Sequence, residues 1–337
     1  MSAYAYISGC AGTSLLEEEK VVFSRRCPWG LILFKRNIQN PAQVAELVAS
    51  FRELADRADA PVLIDQEGGR VQRLGPPHWP KYPAAAELVS ATAESGATET
   101  GVGLGAKLIA HDLRKLGINV DCLPVADLRH AGAHDIIGDR AYGSDPQTVA
   151  ALARAAADGL IAGGVLPVVK HIPGHGRALA DSHLELPRVT ATRRELEQTD
   201  FEAFRLLSDL PLAMTAHVVY EAYDGQLPAT LSPTVMDKVI RGHIGFDGLV
   251  MTDDLSMKAL SGSMVDRTLS AFAAGCDMAL HCNGDMLEAI DVASSSPPLQ
   301  GKALARAEKA LDRIKEPLEP FDTADAWQRF SAMIGTA

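Results

Sequence analysis

Eight short runs of apolar and β-branched residues recur along the chain, and stretches with helical periodicity separate most of them. The runs occupy residues 3–9, 30–34, 61–65, 118–125, 166–171, 211–217, 248–253 and 276–282. Apolar residues are nearly continuous within each run rather than alternating with polar ones. This pattern is typical of strands that are buried on both faces, so we interpret the runs as strands of a buried sheet.

The helices between the runs begin at recognisable signals. Asn40-Pro41 places a capping residue before a first-turn proline, and apolar positions on one helical face follow over residues 44–55. Comparable openings occur at Asp145-Pro146, at Ser232-Pro233 and, as a capping-box spacing, at Thr192 with Glu195. Strand–helix alternation repeated eight times predicts an α/β fold, a (β/α)8 barrel of the TIM type. A doubly wound open sheet is the structural alternative.

The length of the chain fits one such barrel. Its 337 residues lie within the usual size range of the fold, and no Pro/Gly/Ser-rich linker divides them. We therefore predict a single (β/α)8 barrel domain over residues 1–337. The tail from about residue 297 has a helical pattern, and we expect it to pack on the outside of the barrel.

Composition narrows the possible partners and the compartment. A formal net charge of -11 argues against a nucleic-acid partner, although a local basic pocket can still bind a small anion. The five cysteines form no CxxC pair, which indicates reduced thiols. The start of the chain has no signal-peptide pattern, and no apolar stretch is long enough to cross a membrane. We expect a cytoplasmic protein, and no segment marks a protein partner.

A barrel makes a prediction about chemistry, because its active site lies at the C-terminal ends of the strands. Polar side chains do follow most of the predicted strands at that end. They are Asp65, Asp127, Lys170, His171, His217, Asp253, Asp254 and His281. A stable core alone does not require polar residues at these positions.

The stretch "IDQEGGRVQR" (64–73) ends a strand at Asp65 and continues through two glycines to Arg70 and Arg73. It is either a tight turn with a surface ion pair or a carboxylate and arginine set that binds sugar hydroxyls. Lys170 and His171 end a later strand. Because neighbouring side chains on a strand face opposite ways, only one of these two should face the barrel mouth unless the strand ends there.

The loop "HIPGHGRALADSH" (171–183) follows directly. His171 and His175 have the spacing of helical metal ligands, but Pro173 and the glycines disfavour a helix, and we predict no metal site. Asp181 and His183 are two residues apart on this loop. The carboxylate can orient the imidazole and free its Nε2 for proton transfer, or the two residues form a plain surface pair.

Two adjacent aspartates finish the seventh run, in "GLVMTDDLSM" (248–257). One of them can point into the barrel mouth as a nucleophile while the other caps nearby backbone. An isolated Asp-Asp pair would more simply be a helix cap with a solvated neighbour. Its position after a predicted barrel strand favours the functional interpretation.

Together, "DQEGGRVQR", "DRAYGSDP", "KHIPGHGRALADSH" and "TDDLSM" resemble the β-N-acetylglucosaminidases of glycoside hydrolase family 3. The resemblance extends from the first strand to about residue 290, with the motifs in the right order. The loop that bears the histidines resembles in particular the single-domain bacterial branch that recycles peptidoglycan fragments.

The resemblance implies roles for the matching positions. Asp253 would be the nucleophile that forms a covalent glycosyl-enzyme, and His183 would be the acid and then the base, with Asp181 as its partner. The residues implied to hold the terminal N-acetylglucosamine are Asp65, Arg73, Arg140, Lys170 and His171. No cofactor and no metal are implied.

The implied activity is a retaining exo-β-N-acetylglucosaminidase. Its implied substrates are cytoplasmic muropeptides, in which N-acetylglucosamine is linked to a 1,6-anhydro-N-acetylmuramoyl peptide. Three alternatives remain at this point. A glycoside phosphorylase on the same scaffold is one, because a histidine repels an incoming phosphate less than a carboxylate does. Substrate-assisted hydrolysis and a non-catalytic sugar-binding protein are the others.

Overall fold

Eight parallel strands close into a barrel in the computed structural model, which describes residues 3–178, 182, 185–315 and 319–335. The strands are β1 (Tyr4–Gly9), β2 (Pro28–Leu33), β3 (Val62–Ile64), β4 (Val120–Asp121), β5 (Leu166–Ile172), β6 (Leu212–Thr215), β7 (Leu249–Asp254) and β8 (Met278–His281). Each strand pairs with the next along the chain, and β8 pairs with β1. Each strand overlaps its predicted run. The (β/α)8 barrel is therefore confirmed, and the open doubly wound sheet is excluded.

Helices surround the barrel. They are α1 (Glu17–Arg25), α2 (Pro41–Ala55), α3 (Ala85–Thr92), α4 (Thr98–Lys115), α5 (Pro146–Ala162), α6 (Arg193–Gln198), α7 (Asp200–Arg205), α8 (Pro233–Val235, continued by a π-helix over Met236–His243), α9 (Met264–Ala274), α10 (Met286–Ser295), α11 (Gly301–Asp312) and α12 (Thr323–Ile334). The predicted caps Asn40, Asp145 and Ser232 each accept a hydrogen bond from a first-turn backbone N–H. None of the described helices combines the length and the apolar character needed to cross a membrane.

The helix that Thr192 caps is shorter than its apolar pattern indicates. It ends at Gln198, and a second helix begins at Asp200, because the backbone of Thr199 leaves helical geometry between them. Both residues at the break contact Arg177, which donates from Nη2 to Thr199 Oγ1 at 3.0 Å and from Nε to Asp200 Oδ2 at 2.6 Å. The break therefore directs polar side chains to the loop that follows β5.

Side chains of the strands divide between two apolar layers. Ile7, Leu63 and Val168 belong to a cluster built largely from strand residues inside the barrel. Tyr6 and Val169, which are sequence neighbours of two of them, pack instead into the larger cluster between strands and helices. This alternation is the pleat of a strand buried on both faces, and it leaves the strand ends to carry polar groups.

The end of the chain packs against the outside of the barrel. Helix α12 contacts α3 and α4, and the ring centroids of Trp327 and Tyr82 are 5.4 Å apart. Phe330 of the same helix fills the space over Gly105 of α4, where an added Cβ would lie 2.9 Å from its ring. The glycine is therefore required for the close approach of the two helices.

Candidate active site

A cavity of about 320 Å³ opens at the C-terminal ends of the strands. It is lined by Ile32, Phe34, Asp65, Arg70, Val71, Arg73, Ile136, Arg140, Lys170, His171, Met214, Asp253, Asp254, Met257, Leu280 and Cys282. Six residues predicted from the sequence thus meet in one place: Asp65, Arg73, Arg140, Lys170, His171 and Asp253. The other two predicted catalytic residues, Asp181 and His183, lie outside the described residues.

A chain of ion pairs crosses one wall of this cavity. Asp65 lies just past β3. One of its oxygens accepts a hydrogen bond from Lys170 Nζ at 2.9 Å, and the other accepts one from Arg73 Nη2 at 2.9 Å. Lys170 Nζ also lies 2.7 Å from Glu67 Oε1. Glu67 in turn accepts two hydrogen bonds from Arg140, from Nε and from Nη2, both at 2.8 Å. Cations and carboxylates therefore alternate from Arg73 to Arg140.

The charges in this wall keep one another ionised. Burial would raise the pKa of Asp65 and of Glu67, but the neighbouring cations outweigh burial and lower both, that of Glu67 to about 2. Burial would lower the pKa of Lys170, but the carboxylates of Asp65 and Glu67 outweigh it and raise the pKa. At neutral pH the wall therefore offers fixed negative acceptors and fixed positive donors to a ligand.

Lys170 and His171 both face the cavity, although they are neighbours on β5. The pairing of β5 with β6 shifts register between Lys170 and Ile172. The strand is thus irregular where it ends, and the usual alternation of side chains does not hold there. The sequence allowed both side chains to face inward only if the strand ends at this point, and the strand does end at Ile172.

His171 is oriented by a buried carboxylate behind it. Its Nδ1 lies 2.7 Å from Asp127 Oδ2, and Asp127 also accepts the backbone N–H of His175 at 2.6 Å. Burial would raise the pKa of Asp127, but the charge of His171 and the accepted hydrogen bonds lower it. Because a carboxylate only accepts, the Nδ1 of His171 carries a proton in this contact, and the ring orientation is fixed by it.

Asp253 and Asp254 both reach the cavity at the end of β7, but Asp254 is engaged elsewhere. Its Oδ1 accepts the backbone N–H groups of Ser256 at 3.0 Å and of Cys282 at 3.1 Å, and its Oδ2 accepts the Ser256 hydroxyl at 2.6 Å. Asp254 therefore ties the turn after β7 to the end of β8, which is a structural role.

The loop after β5 is packed tightly against the barrel where it is described. A Cβ on Gly176 would lie 1.8 Å from the backbone oxygen of Leu128. His175 is buried, and its Nε2 lies 3.0 Å from Ser182 Oγ. Burial, aided by nearby His171, lowers the pKa of His175 to about 4, so this imidazole is neutral at pH 7. Within the described ranges, no group of three or more His, Cys, Asp or Glu side chains is arranged to hold a metal ion.

Some residues singled out in the sequence lie off the cavity, and others were missed. His281 ends β8, and Asp127 and His217 lie in the segments after β4 and β6, but none of the three lines the cavity. Arg70 lines it but pairs with Asp139 at 3.1 Å, so Arg73 alone of the two arginines binds Asp65. The missed lining residues are mainly apolar: Phe34, Ile136, Met214, Met257 and Leu280. Apolar residues in strands and in the loops after them carry no sequence signal that separates them from the core.

Comparisons with known proteins show the family of the chain. Residues 16–316 match the profile of the glycosyl hydrolase family 3 N-terminal domain. A β-hexosaminidase of Bordetella avium is 38% identical over 339 residues, covering 96% of this chain and 90% of the relative. One from Alkalilimnicola ehrlichii is 40% identical over 283 residues, covering 82% and 79%. The crystal structure of NagZ from Neisseria gonorrhoeae in complex with N-trifluoroacetyl-D-glucosamine superposes with a TM-score of 0.87 at 31% identity and covers 99% of both chains.

Proposed function

The chain belongs to glycoside hydrolase family 3 and is a hydrolase of the β-N-acetylhexosaminidase type, and on this premise we propose that it is a retaining exo-β-N-acetylglucosaminidase. The observation that carries the proposal is that two kinds of group line one cavity. The Asp253 carboxylate lies in the same cavity as the ion-paired residues Asp65, Arg73, Lys170 and Arg140. One side supplies a nucleophile and the other a polar surface for a sugar.

The wall suits the hydroxyl groups of a terminal sugar. A hydroxyl both donates and accepts, so it is best bound where an acceptor and a donor stand side by side. Asp65 accepts, and Arg73 and Lys170 donate, each already fixed by its pairing with the others. The cavity volume of about 320 Å³ is near the lower end for ligand pockets, which suits a single sugar ring and hence exo cleavage.

The apolar part of the lining suits the rest of the ring. Met214, Met257 and Leu280 face the cavity together with the charged wall. A pyranose ring presents C–H groups between its hydroxyls, and an acetamido group ends in a methyl. Apolar side chains beside fixed polar groups are the combination that orients a small ligand of this kind.

In the proposed reaction, Asp253 attacks the anomeric carbon as the bond to the leaving oxygen breaks. His183, paired with Asp181, donates its proton to that oxygen, and the freed imidazole then takes a proton from the water that hydrolyses the glycosyl ester. Both steps invert the anomeric centre, so the product retains the configuration. The roles of His183 and Asp181 rest on the sequence motif.

For the natural substrate we propose N-acetylglucosamine-containing muropeptides, on the resemblance of the loop at residues 171–183 to the peptidoglycan-recycling branch of the family. A location in the cytoplasm stays a prediction from the sequence. The β-hexosaminidase names of the relatives support the sugar, and the bound N-trifluoroacetyl-D-glucosamine of the Neisseria gonorrhoeae protein supports an acetamido-type group at C2.

The test is release of nitrophenol from 4-nitrophenyl N-acetyl-β-glucosaminide by wild type, Asp253→Ala and His183→Ala, with the β-glucoside as control. Turnover of the acetamido sugar that collapses in both variants supports the assignment. Activity that survives Asp253→Ala contradicts the covalent mechanism. The same assay with added inorganic phosphate separates hydrolysis from phosphorolysis, because a phosphorylase releases the sugar 1-phosphate.

A further inference from the structure

Glu67 lies behind the wall of the cavity rather than in it. Its side chain is only 5% exposed, and it does not line the cavity that Asp65, Arg140 and Lys170 line. It borders instead a small second cavity of about 30 Å³, which Tyr142 and other side chains enclose on the far side. A substrate in the main cavity therefore meets Arg140 and Lys170 but not the carboxylate that holds them.

Glu67 fixes the plane of the Arg140 guanidinium. Arg140 donates from Nε and Nη2 to the two oxygens of Glu67, both at 2.8 Å, and from Nη1 to the backbone oxygen of Ile136 at 3.1 Å. Contacts at all three nitrogens leave a planar group no freedom to turn. A two-point arginine–carboxylate contact is also stronger and more directional than a single hydrogen bond.

The same carboxylate also fixes Lys170. Among the described residues, Lys170 Nζ contacts Asp65 Oδ1 at 2.9 Å and Glu67 Oε1 at 2.7 Å. An ammonium group has three N–H bonds, so two contacts set the direction of the third. Glu67 Oε1 is shared between Lys170 and Arg140, which makes the positions of these two cations depend on one atom.

The charge balance of the wall is a second reason why a carboxylate is needed at position 67. The group of Arg73, Asp65, Lys170, Glu67 and Arg140 contains three cations and two carboxylates. Without the charge of Glu67, Lys170 and Arg140 would be two buried like charges with no anion between them. Like charges at low exposure repel strongly, so the two side chains would separate or admit water.

We propose that Glu67 is a positioning residue for sugar binding, whose carboxylate holds Arg140 and Lys170 in the orientation in which they meet the substrate. This inference rests on the proposed function, because it assigns Arg140 and Lys170 to the sugar. It deepens that function by naming the group on which the binding wall depends.

The first experiment compares wild type with Glu67→Gln, which keeps the shape of the side chain and removes its charge. KM for 4-nitrophenyl N-acetyl-β-glucosaminide and Kd for N-acetylglucosamine, measured by calorimetry, should both rise roughly 10- to 100-fold, by analogy with the loss of a group that orients a metal ligand. The change in kcat should be smaller, since Glu67 does not touch the reacting atoms. Glu67→Asp, which restores the charge on a shorter arm, should recover part of the affinity.

Asp277→Asn is the matched control. Asp277 is also a buried carboxylate that binds two arginines, Arg241 and Arg306, but it stands before β8 at the opposite end of the barrel. It should lower the unfolding temperature without changing KM. A folded Glu67→Gln enzyme with wild-type KM and Kd overturns the inference, as does an equal rise of KM in Asp277→Asn.

A double-mutant cycle tests whether Glu67 acts through Arg140. Combined with Arg140→Ala, Glu67→Gln should cost clearly less affinity than it costs alone, and full additivity contradicts the inference. If the wild type binds N-acetylglucosamine but does not hydrolyse its glycosides, the proposed mechanism is refuted. The Kd values of the variants for N-acetylglucosamine then still test the role of Glu67. A wild type that does not bind the sugar overturns both.

Discussion

The carboxylate of Asp253 accepts a hydrogen bond from the backbone N–H of its neighbour Asp254, at 2.8 Å. This contact fixes the direction of the Asp253 side chain at the cavity. The Asp254 carboxylate, in contrast, is occupied by Ser256 and by the backbone of Cys282. The two adjacent aspartates therefore have different surroundings: the Asp253 side chain lines the cavity with one oxygen held by backbone, and the Asp254 carboxylate joins two strand ends.

We expect substitutions of these two residues to have different consequences. Asp253→Asn should lower kcat by roughly 10³-fold or more, because the proposed nucleophile is lost while the shape is kept. Asp254→Asn should lower the free energy of unfolding by about 1–3 kcal/mol, because an amide cannot accept all three hydrogen bonds, and should leave measurable activity. Steady-state kinetics and urea unfolding of both variants check this.

A trapped intermediate identifies the nucleophile directly. A 5-fluoro N-acetylglucosaminyl fluoride reacts readily but releases its sugar slowly, so mass spectrometry should find the sugar on the peptide that contains Asp253. His183→Ala is the control, since a fluoride leaving group needs little acid help and labelling should persist. A label on Asp254, or no label on an enzyme that the compound inactivates, contradicts the covalent role of Asp253.

Asp127→Asn should weaken substrate binding through His171. The amide cannot accept from His171 Nδ1 and from the backbone of His175 as the carboxylate does, so the imidazole loses its fixed tautomer and orientation. We expect kcat/KM to fall about tenfold and the free energy of unfolding to fall by about 1–3 kcal/mol.

Asp145→Asn is the control for Asp127→Asn. Asp145 caps α5 at an exposed position, where asparagine caps about as well as aspartate. Its activity and stability should stay near those of the wild type. An Asp127→Asn enzyme with unchanged kcat/KM would show that His171 does not depend on this carboxylate.

The barrel could be predicted from the sequence because strands buried on both faces appear directly as continuous apolar runs. The residues at which the strands end were harder to predict. Regular pairing of β4 covers only Val120–Asp121, although its predicted run extends over residues 118–125. Pro124 has no backbone N–H to donate, so it interrupts the ladder inside an otherwise strand-like segment.

The site was partly predictable because several of its polar residues directly follow the apolar runs. Asp65 and Lys170 are 105 positions apart, and only closure of the barrel brings their strand ends together. The support behind them was not predictable. Glu67 lies in a short strand, Gln66–Gly68, next to a glycine turn, where an acidic residue looks solvated. Its burial follows from its pairing with Arg140, 73 positions away. No local pattern reports such a contact.

The stability of the protein should depend on the charge of Glu67 over an acidic range of pH. The pKa of Glu67 in the folded protein is about 2, below the ordinary value of 4.5. A depressed pKa stabilises the fold above the unfolded-state value, and this contribution disappears as pH falls towards the folded-state value. The free energy of unfolding of wild type should therefore exceed that of Glu67→Gln by an amount that is largest above about pH 4.5. This difference should shrink by roughly 3 kcal/mol as the pH falls towards 2. Urea unfolding between pH 2.5 and 7 measures this, and a constant gap contradicts it.

Gly176→Ala should disturb the loop that leads to the proposed acid. An added Cβ would lie 1.8 Å from the Leu128 backbone oxygen, so the loop must move away from the barrel, at a cost of about 1–3 kcal/mol. If His183 is thereby misplaced, the loss of kcat/KM should be larger for the 4-nitrophenyl than for the 2,4-dinitrophenyl glycoside, whose better leaving group needs less protonation. Gly225→Ala is the control, because among the described residues no heavy atom lies within 4 Å of its added Cβ. Equal losses on both substrates would mean that the loop serves binding rather than proton transfer.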